Sequence, residues 1–532
     1  MSAILHEAGI EALADELLDP AAYPHPAARI ERHETHISLV FLAGDYAYKV
    51  KKAVRLPFLD FTSLSERYYY CREEVRLNRR TAPELYLDVV PIAGRPARVA
   101  GRGPVRDYAV RMRRFREEAL LSRRARQGRL DPATIDRLSD EVARFHGAAA
   151  LAGERDDYGS LDRVKRPALD NFAEMQALSP PAALAAALEP LRDWTRREAH
   201  DLAPRFEQRK SGGFVRECHG DLHLGNVVMV DGAPRLFDCI EFSAGMRWID
   251  VMSDVAFAFV DLVHHGQGRL AWRFLDRYLE TTGDYSGLAV FRFYAVYRAL
   301  VRAKVALIRA RQESSDGAAR QRCEEDAAAY VALAERLSRR EPPEIMLMHG
   351  FSGSGKTTAS QRLLEALGAV RLRSDVERKR LHGLPALARA THAPGQGIYG
   401  AEENDRTYAR LALLAQEVLE AGYPVVVDAT FLDRRQRERF RDIARESRAA
   451  FELVSCVAPE PVLRQRIELR GRGVADASDA HASVLERQIA GHHPLCDEEM
   501  VHTTLLDTTT DREWRRAVES LARRFRLPMQ AS

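Results

Sequence analysis

The chain has 532 residues and nearly balanced charge, with 80 Lys and Arg residues against 77 Asp and Glu residues. This length allows several compact domains and excludes a lone binding module or a disulfide-stapled miniprotein. A net charge of +3 excludes a global field that would recruit nucleic acid or an anionic membrane. The six cysteines are scattered without metal-like spacing, which indicates reduced thiols and a cytoplasmic protein.

Neither the N-terminal residues nor the most apolar segment is typical of a membrane protein. The N-terminal residues are acidic and predict an amphipathic helix, whereas a secretory signal needs a basic start and an unbroken apolar stretch. The most apolar window, residues 255–263, is about half as long as a membrane span and contains Asp261. We therefore expect no membrane partner.

The N-terminal part begins with strand-like segments and continues mostly as helix. A small sheet-bearing lobe followed by a larger helical lobe is therefore predicted, which is an α+β arrangement. Strands are predicted at Ile37–Leu42, Tyr46–Lys51, Val89–Ile92 and Asp107–Met112, with a hairpin formed by Val227–Val230 and Arg235–Phe237.

A domain boundary is predicted where a long Ala-rich helical pattern, Gly317–Leu337, ends in charged residues and a double proline. Because proline cannot continue a helix, we divide the chain into domains at residues 1–340 and 341–532. Beyond the boundary, apolar runs alternate with helical patterns, which predicts an α/β domain with a parallel sheet. Its predicted strands are Ile345–Met348, Val370–Arg373, Pro424–Val427, Phe451–Val457 and Thr503–Leu505.

The first domain contains HGDLHLGN at residues 219–226, then the hairpin, then LFDCIE at residues 236–241. Phosphoryl transfer needs a carboxylate that accepts the hydroxyl proton and an amide oxygen for Mg²⁺. It also needs a second carboxylate that bridges Mg²⁺ to the phosphates. Asp221, Asn226 and Asp238 supply these groups in that order.

These residues resemble the aminoglycoside phosphotransferase family, the small-molecule branch of the protein-kinase fold. The resemblance extends over about residues 30–310 and implies a bilobal kinase-like domain that binds ATP. It also implies that Lys49 contacts the ATP phosphates and pairs with Glu74, with Lys51 and Glu73 as rivals for these positions. Lys49 is preferred because it shares a strand face with Ala47, as in the kinase V-A-I-K pattern.

Two features depart from that family pattern. No G-x-G-x-x-G precedes Lys49, so the loop that covers the phosphates is expected to be reduced. Asp238 is followed by Cys-Ile, where protein kinases have Phe-Gly.

The second domain contains GFSGSGKT at residues 350–357, after a predicted strand and before a predicted helix. Glycines let successive backbone N–H groups converge on phosphate oxygens, and the helix N-terminus adds positive charge. Lys356 is expected to reach the β- and γ-phosphates, and the Thr357 hydroxyl to bind Mg²⁺. The residues predicted to bind the nucleotide here are Gly350, Ser352, Gly353, Ser354, Gly355, Lys356, Thr357 and Thr358.

Four further residues receive roles around this loop. Asp428 ends an apolar strand, where it fits the Mg²⁺ shell or a helix cap. Asp375 follows the second strand, where it fits either an acceptor hydroxyl or a helix cap. Arg466 and Arg470 recur on one helical face, which fits either a lid over the transferring phosphate or a solvated basic face.

These positions resemble the P-loop small-molecule and polynucleotide kinases, including the zeta-toxin-like and AAA-type members, over about residues 342–528. The resemblance implies that Asp375 contacts the acceptor, Asp428 belongs to the metal shell, and Arg466 with Arg470 stabilises the transition state. As a whole, the chain is similar to bacterial fusions of an aminoglycoside phosphotransferase-like domain with a P-loop kinase domain.

The sequence therefore predicts a phosphotransferase with two sites for ATP and Mg²⁺ that acts on a hydroxyl of a small-molecule acceptor. One alternative is a C-terminal kinase for 5′-hydroxyl polynucleotides. Another is a nucleotide-gated regulatory protein in which one site binds ATP without turnover. Nucleic acid is a less favoured partner, because the arginine-rich run at residues 111–129 has no interleaved stacking aromatic beyond Phe115 and fits a solvated helix face. The run at residues 434–441 is interpreted in the same way.

Overall fold

A computed structural model describes residues 10–56, 59–313, 316–340, 342–386, 397–472 and 482–525. Internal contacts divide the chain into two compact units, Met1–Val164 with Glu207–Ala258, and Lys165–Phe206 with Phe259–Ser532. The predicted boundary at residues 340/341 lies inside the second unit and stays a prediction. Within the described ranges, no helix combines the length and the apolar character needed to cross a membrane.

The strands fall into an N-terminal and a C-terminal group. The N-terminal strands are β1 (Ile30–Glu34), β2 (Ser38–Ala43), β3 (Tyr46–Lys51), β4 (Arg55–Leu56), β5 (Leu59–Asp60), β6 (Tyr86–Ala93), β7 (Arg98–Val99), β8 (Val105–Arg113), β9 (Val215–Glu217), β10 (Val227–Val230), β11 (Ala233–Leu236) and β12 (Trp248–Asp250). The C-terminal strands are β13 (Glu344–His349), β14 (Val370–Arg373), β15 (Val425–Asp428), β16 (Ala450–Val457) and β17 (Thr503–Asp507).

Helices fill most of the remaining chain. Residues 10–16 are helical and are called α1. The others before the P-loop are α2 (Leu64–Asn78), α3 (Leu121–Arg126), α4 (Pro132–Ala148), α5 (Leu161–Ala177), α6 (Ala182–Asp201), α7 (Ala203–Ser211), α8 (Ala244–Arg247), α9 (Val251–His264), α10 (Gly268–Thr282), α11 (Leu288–Gln312) and α12 (Gly317–Leu337). Those after it are α13 (Lys356–Leu367), α14 (Ser374–Leu381), α15 (Ala401–Glu420), α16 (Arg434–Glu446), α17 (Glu460–Arg472), α18 (Ala482–Gly491), α19 (Asp497–Met500) and α20 (Asp511–Phe525).

The first unit is organised around a six-stranded antiparallel sheet in the order β1-β2-β3-β8-β6-β7. Strand β3 lies inside this sheet, where Lys49 is paired with Val40 on one side and Val110 on the other. Because side chains alternate along a strand, Ala47, Lys49 and Lys51 project from the same face. The sheet therefore presents two lysines side by side.

Helix α2 packs against β6 and β8 and brings an acid to that face. The helix begins after Ser63, whose side chain accepts a hydrogen bond from the N–H of Glu66. Cys71, Glu74 and Asn78 are buried, and their spacing of three and four residues places them on one side of the helix. The helical register thus directs Glu74 towards the lysines of β3.

The second unit contains a five-stranded parallel sheet in the order β14-β15-β13-β16-β17. Its central strand β13 is buried along almost its whole length, as expected for a parallel strand covered on both faces. The chain order reverses between β15 and β16, the two neighbours of β13. Ligands of open α/β sheets bind at the carboxyl ends of the strands at such a switch point, and this is where residues 350–357 lie.

The predicted fold class is confirmed, with a mixed N-terminal part and a C-terminal parallel sheet. Strands β3 and β14 and helix α12 have the predicted bounds, and the predicted hairpin forms between β10 and β11. Strands β1, β4, β5, β7, β9 and β12 were not predicted. All six are five residues or shorter with no clean apolar alternation, so pairing with a partner strand decides their conformation. β1, β4 and β7 pair with strands next to them in the chain, whereas β9 pairs with the more distant β12.

Candidate active sites

The first candidate site is centred on the Lys49 ammonium group. Its Nζ lies 2.8 Å from Glu74 Oε1 and 2.5 Å from Asp238 Oδ1. Burial by itself would lower the pKa of Lys49, but the carboxylates of Asp238 and Glu74 raise it well above its usual value. Lys49 is therefore a fixed positive charge held between a helix and the segment after β11.

A second lysine, Lys51, extends this cluster into the interior. Its Nζ lies 2.7 Å from Glu74 Oε2 and also contacts Glu241. The side chains of Lys51 and Glu74 are fully buried, and that of Glu241 is nearly so. Burial tends to raise the pKa of Glu74, but Lys49 and Lys51 together lower it. Lys49 thus pairs with one oxygen of the Glu74 carboxylate and Lys51 with the other. Both lysines that the sequence offered as the partner of Glu74 therefore contact it.

The loop of residues 219–226 brings Asp221 and Asn226 together. Asn226 Nδ2 donates to both the carbonyl oxygen and Oδ2 of Asp221, each at 2.9 Å. His223 Nε2 lies 3.4 Å from Asp221 Oδ2. Asp221 remains about one-third exposed, so one carboxylate is oriented by its own loop and still faces solvent.

Buried Asp254 in α9 holds this loop from beneath. Its two carboxylate oxygens accept the backbone N–H groups of His219 and Gly220 at 2.7 and 2.9 Å. His219 Nδ1 in turn accepts the N–H of Asp221, so Nε2 carries the proton and donates to the carbonyl of Phe237 at 2.9 Å. Burial lowers the pKa of His219, which favours this neutral form.

Asp238 has the left-handed backbone conformation, with φ +63°. Its N–H donates to the Tyr86 hydroxyl at 3.1 Å, and the next N–H, that of Cys239, donates to Asn78 Oδ1 at 2.9 Å. Such a conformation costs energy in a non-glycine residue and persists where surrounding contacts enforce it. The contacts from β6 and α2 direct the half-exposed Asp238 carboxylate towards Lys49.

An apolar cluster lies beside these charges on the sheet. Phe115 and Phe237 pack edge to face, with ring centroids 5.1 Å apart. Both rings are only partly buried and contact the same buried cluster as Ala47 and Met112. This leaves a partly open apolar surface next to a lysine and three acids, a combination suited to a nucleotide base and its phosphates.

The second candidate site is the loop between β13 and α13. Gly350, Gly353 and Gly355 all have φ between 82° and 135°. A Cβ on Gly350 would lie 2.5 Å from the carbonyl oxygen of Cys456, and one on Gly353 would lie 2.7 Å from that of Leu463. Only glycine fits at these two positions, so the backbone curls closely enough for its N–H groups to converge.

Two side chains fold onto this loop. Lys356 Nζ donates to the carbonyl oxygens of Gly350 and Phe351 at 2.9 and 2.8 Å. Gln488 in α18 accepts the Ser352 N–H at 2.8 Å through Oε1. A side-chain oxygen therefore already occupies one backbone donor of the loop.

Asp428 lies at the carboxyl end of β15 and is nearly buried. Its Oδ2 accepts from the Ser360 hydroxyl at 3.2 Å and lies 3.8 Å from Arg373 Nε. Asp375 lies in the first turn of α14, directly after β14. Because β14 and β15 are parallel neighbours, both acids are at the same edge of the sheet as the glycine-rich loop.

Arg466 in α17 reaches the loop from the opposite side. It donates to Gly353 O at 3.4 Å and to Thr508 Oγ1 and O at 2.9 Å each. The side chain of Arg470 lies outside the described residues. Arg466 also lines a cavity of about 380 Å³, together with Gly355, Thr358, Arg362, Leu469, Thr508 and Trp514.

Three residues of the first site were not predicted from the sequence: Lys51 as a partner of Glu74, Glu241 and Asp254. The sequence signal for Asp254 is an acid within the otherwise apolar start of α9. Glu241 is three residues after Asp238, which places it within reach of the same cluster. Their contacts join residues far apart in the chain, so spacing alone could not reveal them.

Comparison with known proteins defines the class of both halves. Residues 58–294 match the family described as "Phosphotransferase enzyme family", and residues 345–495 match the family described as "AAA domain". The chain thus combines a protein-kinase-like phosphotransferase-family domain with a P-loop kinase-like domain, which confirms the predicted resemblance.

The similar proteins cover different shares of this chain. An uncharacterized protein of Mycobacterium tuberculosis is 29% identical over 456 residues, covering 86% of this chain and 89% of the relative. A choline kinase structure from Cryptosporidium parvum is 10% identical and covers 61% of this chain and 94% of its own, with a TM-score of 0.39. A gluconokinase structure from Sinorhizobium meliloti is 24% identical and covers 35% of this chain and 98% of its own, with a TM-score of 0.25.

Proposed function

We propose that this protein is a cytoplasmic Mg-ATP-dependent phosphotransferase with two nucleotide sites, each transferring a γ-phosphate to a hydroxyl group of a small-molecule acceptor. The observation that carries the proposal is the convergence of Lys49, Glu74 and Asp238 beside the loop that contains Asp221 and Asn226. These five residues come from four separate stretches of the chain. Together they would supply the polar groups that phosphoryl transfer requires.

At the first site, Lys49 would contact the α- and β-phosphates, with Glu74 fixing its position. Asp221 would accept the proton of the acceptor hydroxyl, since it is exposed and oriented by Asn226. A carboxylate and an amide oxygen are ligands that suit Mg²⁺, so Asp238 and Asn226 fit this ion. When bound, Mg²⁺ would neutralise charge on the phosphates.

At the second site, the loop N–H groups and Lys356 would bind the phosphates, and Asp375 would orient the acceptor hydroxyl. The Thr357 hydroxyl and Asp428 are hard oxygen donors of the kind that Mg²⁺ prefers. The cavity beside Gly355 offers apolar surface from Leu469 and Trp514, which suits the base of the nucleotide. Arg466 contacts the loop and also lines this cavity, so it would lie next to a bound nucleotide.

The proposal is tested by screening for phosphorylated products with variants that separate the two sites. Sugars, aminoglycosides, nucleosides and 5′-hydroxyl oligonucleotides are offered, and ATP consumption is followed. Asp221→Asn is expected to lower transfer at the first site about 10²–10⁴-fold, the usual size of a general-base contribution. Lys356→Ala is expected to abolish transfer at the second site. Asp231→Asn, on an exposed hairpin turn, is the matched control.

Different outcomes contradict different parts of the proposal. If neither variant changes turnover of any acceptor, the assignment of both sites is wrong. If Asp221→Asn leaves all transfer intact while Lys356→Ala abolishes it, the first site binds nucleotide without turnover, as in a regulatory module. If only oligonucleotides are phosphorylated and binding weakens steeply with salt, the second site is a polynucleotide kinase.

A further inference from the structure

Helix α10 places two buried acids against the parallel sheet of the second unit. Asp276 Oδ2 lies 2.9 Å from Arg371 Nη2, and Glu280 Oε2 lies 3.2 Å from the same nitrogen. The side chains of all three residues are at most 6% exposed. Asp276 and Glu280 are four residues apart, so they form one acidic stripe on the helix.

The same stripe reaches the candidate metal-binding edge of the sheet. Glu280 Oε1 lies 3.0 Å from Arg373 Nη1, and Arg373 Nε lies 3.8 Å from Asp428 Oδ2. Arg373 is the last residue of β14 and is only 11% exposed. A continuous line of charges, negative, positive and negative, thus runs from α10 to Asp428.

The origin of α10 makes this line unusual. Residues 268–282 lie within the segment that matches the phosphotransferase family, whereas Arg373 and Asp428 lie within the segment that matches the AAA domain. The P-loop site therefore has one of its nearby charges supplied from outside its own family segment.

The charges act on a metal ion in opposite directions. A guanidinium group close to a metal-binding carboxylate opposes the binding of a cation, because interactions in a partly buried site are only weakly screened. An acid that pairs with this guanidinium offsets its charge and leaves the carboxylate more attractive to the ion. Residues that touch only the ligands of a metal regularly change its affinity in this way.

We propose that Glu280 and Arg373 form a charge relay that sets the divalent-cation affinity of the P-loop site, with Glu280 acting as a positioning residue contributed by the phosphotransferase-family segment. The inference rests on the proposed function of the P-loop as a Mg-ATP site. It assigns to α10 a role in the second reaction that neither family match assigns to it.

The test measures the Mg²⁺ concentration needed for half-maximal binding of a fluorescent ATP analogue. It uses the full chain carrying Lys49→Met, the change expected to abolish nucleotide binding at the first site, so that the analogue reports on the P-loop site alone. Glu280→Gln removes one acid that offsets the positive charge of Arg373 and is expected to raise this concentration about tenfold, an ordinary size for coupling between two sites. Arg373→Gln is expected to lower it, since the opposing charge is gone.

A double variant and a matched control separate the relay from a loss of structure. Adding Arg373→Gln to Glu280→Gln is expected to restore the Mg²⁺ requirement, a rescue that damage to the fold cannot produce. Arg273→Gln removes another ion pair between α10 and the P-loop region, the 2.8 Å contact with Glu365, and is expected to leave the requirement unchanged. The relay is excluded if Glu280→Gln and Arg273→Gln behave alike, or if the double variant is no better than Glu280→Gln.

Failure of the relay and failure of the proposed function give different results. Binding of the analogue that is abolished by Lys356→Ala but has the same Mg²⁺ dependence in all relay variants rejects the relay alone. Binding that is unaffected by Lys356→Ala rejects the P-loop as the nucleotide site, and the relay with it.

Discussion

The two candidate sites hold their charges in contrasting ways. At the first, two lysines and three acids from different parts of the chain are already paired with one another. At the second, backbone N–H groups and glycine conformations form the loop, and Lys356 rests on carbonyl oxygens of that loop. In a site built from buried ion pairs, removal of one charged side chain should cause the largest loss of stability and binding. In a site built from backbone N–H groups, a change in the conformation of the loop should cause the largest loss.

The largest effect is expected when a buried charge is removed from the first site. Lys51→Met removes the lysine that pairs with both Glu74 and Glu241, while Lys49 still pairs with Glu74. Because a buried acid then loses its partner, we expect a loss of about 3–5 kcal/mol in the free energy of unfolding. Lys49→Met, nearer the solvent, is expected to cost less stability and to abolish nucleotide binding at this site. Urea unfolding and nucleotide titration measure the two effects.

Lys52→Met is the matched control for both lysines. Lys52 is adjacent in sequence and pairs with Glu34, whose side chain is half exposed. A pair of this kind contributes less than about 1 kcal/mol. If Lys51→Met is no more destabilising than Lys52→Met, the buried cluster is not what holds α2 against β3.

At the second site, the addition of a single methyl group to the loop is expected to disrupt both the fold and nucleotide binding. In Gly350→Ala the new Cβ would meet the Cys456 carbonyl at 2.5 Å, at a φ of +135° that alanine rarely adopts. We expect a loss of about 3 kcal/mol in unfolding free energy, together with loss of nucleotide binding at the P-loop. Calorimetry and nucleotide titration follow the two losses.

Gly383→Ala separates backbone strain from the clash. Gly383 also has a positive φ, of +67°, but among the described residues no heavy atom lies within 4 Å of the position that the new methyl group would take. It is expected to lose about 1 kcal/mol from strain alone and to bind nucleotide normally. Equal losses for the two variants would mean that close packing of the loop against β16 is unimportant.

The contrast also explains what could be read from the sequence. The P-loop was predictable because its pattern is confined to eight consecutive residues, 350–357. In the first site, Asp221, Asn226 and Asp238 were predictable because they lie in two short motifs on either side of one hairpin, but Lys51, Glu241 and Asp254 were not. Their roles arise where β3, α2 and α9 approach the loop, and a local pattern does not encode that approach. The catalytic and binding roles of Asp221, Asn226 and Asp238 stay predictions.

A pH experiment sharpens the comparison, since the second unit contains a partly buried histidine directly before the P-loop. Burial, with help from Arg437 and Lys356, lowers the pKa of His349 from 6.5 to about 4. Below about pH 6.5 the unfolded chain binds a proton here that the folded chain does not. Folding stability is therefore lost as the pH falls towards 4, by about 2 kcal/mol between pH 7 and pH 5.

His349→Gln is expected to remove this part of the acid sensitivity, so that the stability of the variant falls less steeply than that of the parent between pH 7 and pH 5. Thermal unfolding at a series of pH values measures the difference. His493→Gln, at a half-exposed position, serves as the control and should keep the parent's slope. Parallel curves for His349→Gln and the parent would show that His349 takes up its proton equally in both states.

The smallest expected effect concerns the backbone donors themselves. Gln488 Oε1 accepts the Ser352 N–H in the position where a phosphate oxygen would compete for it. Gln488→Ala frees that donor, so we expect Mg-free nucleotide to bind about threefold more tightly, which is the scale of one exchanged hydrogen bond. Glu486→Ala, an exposed change on the same helix, should leave binding unaltered. Weaker binding in Gln488→Ala would mean instead that Gln488 contacts the nucleotide, and the second site would then depend on a side chain from α18 as the first depends on α2.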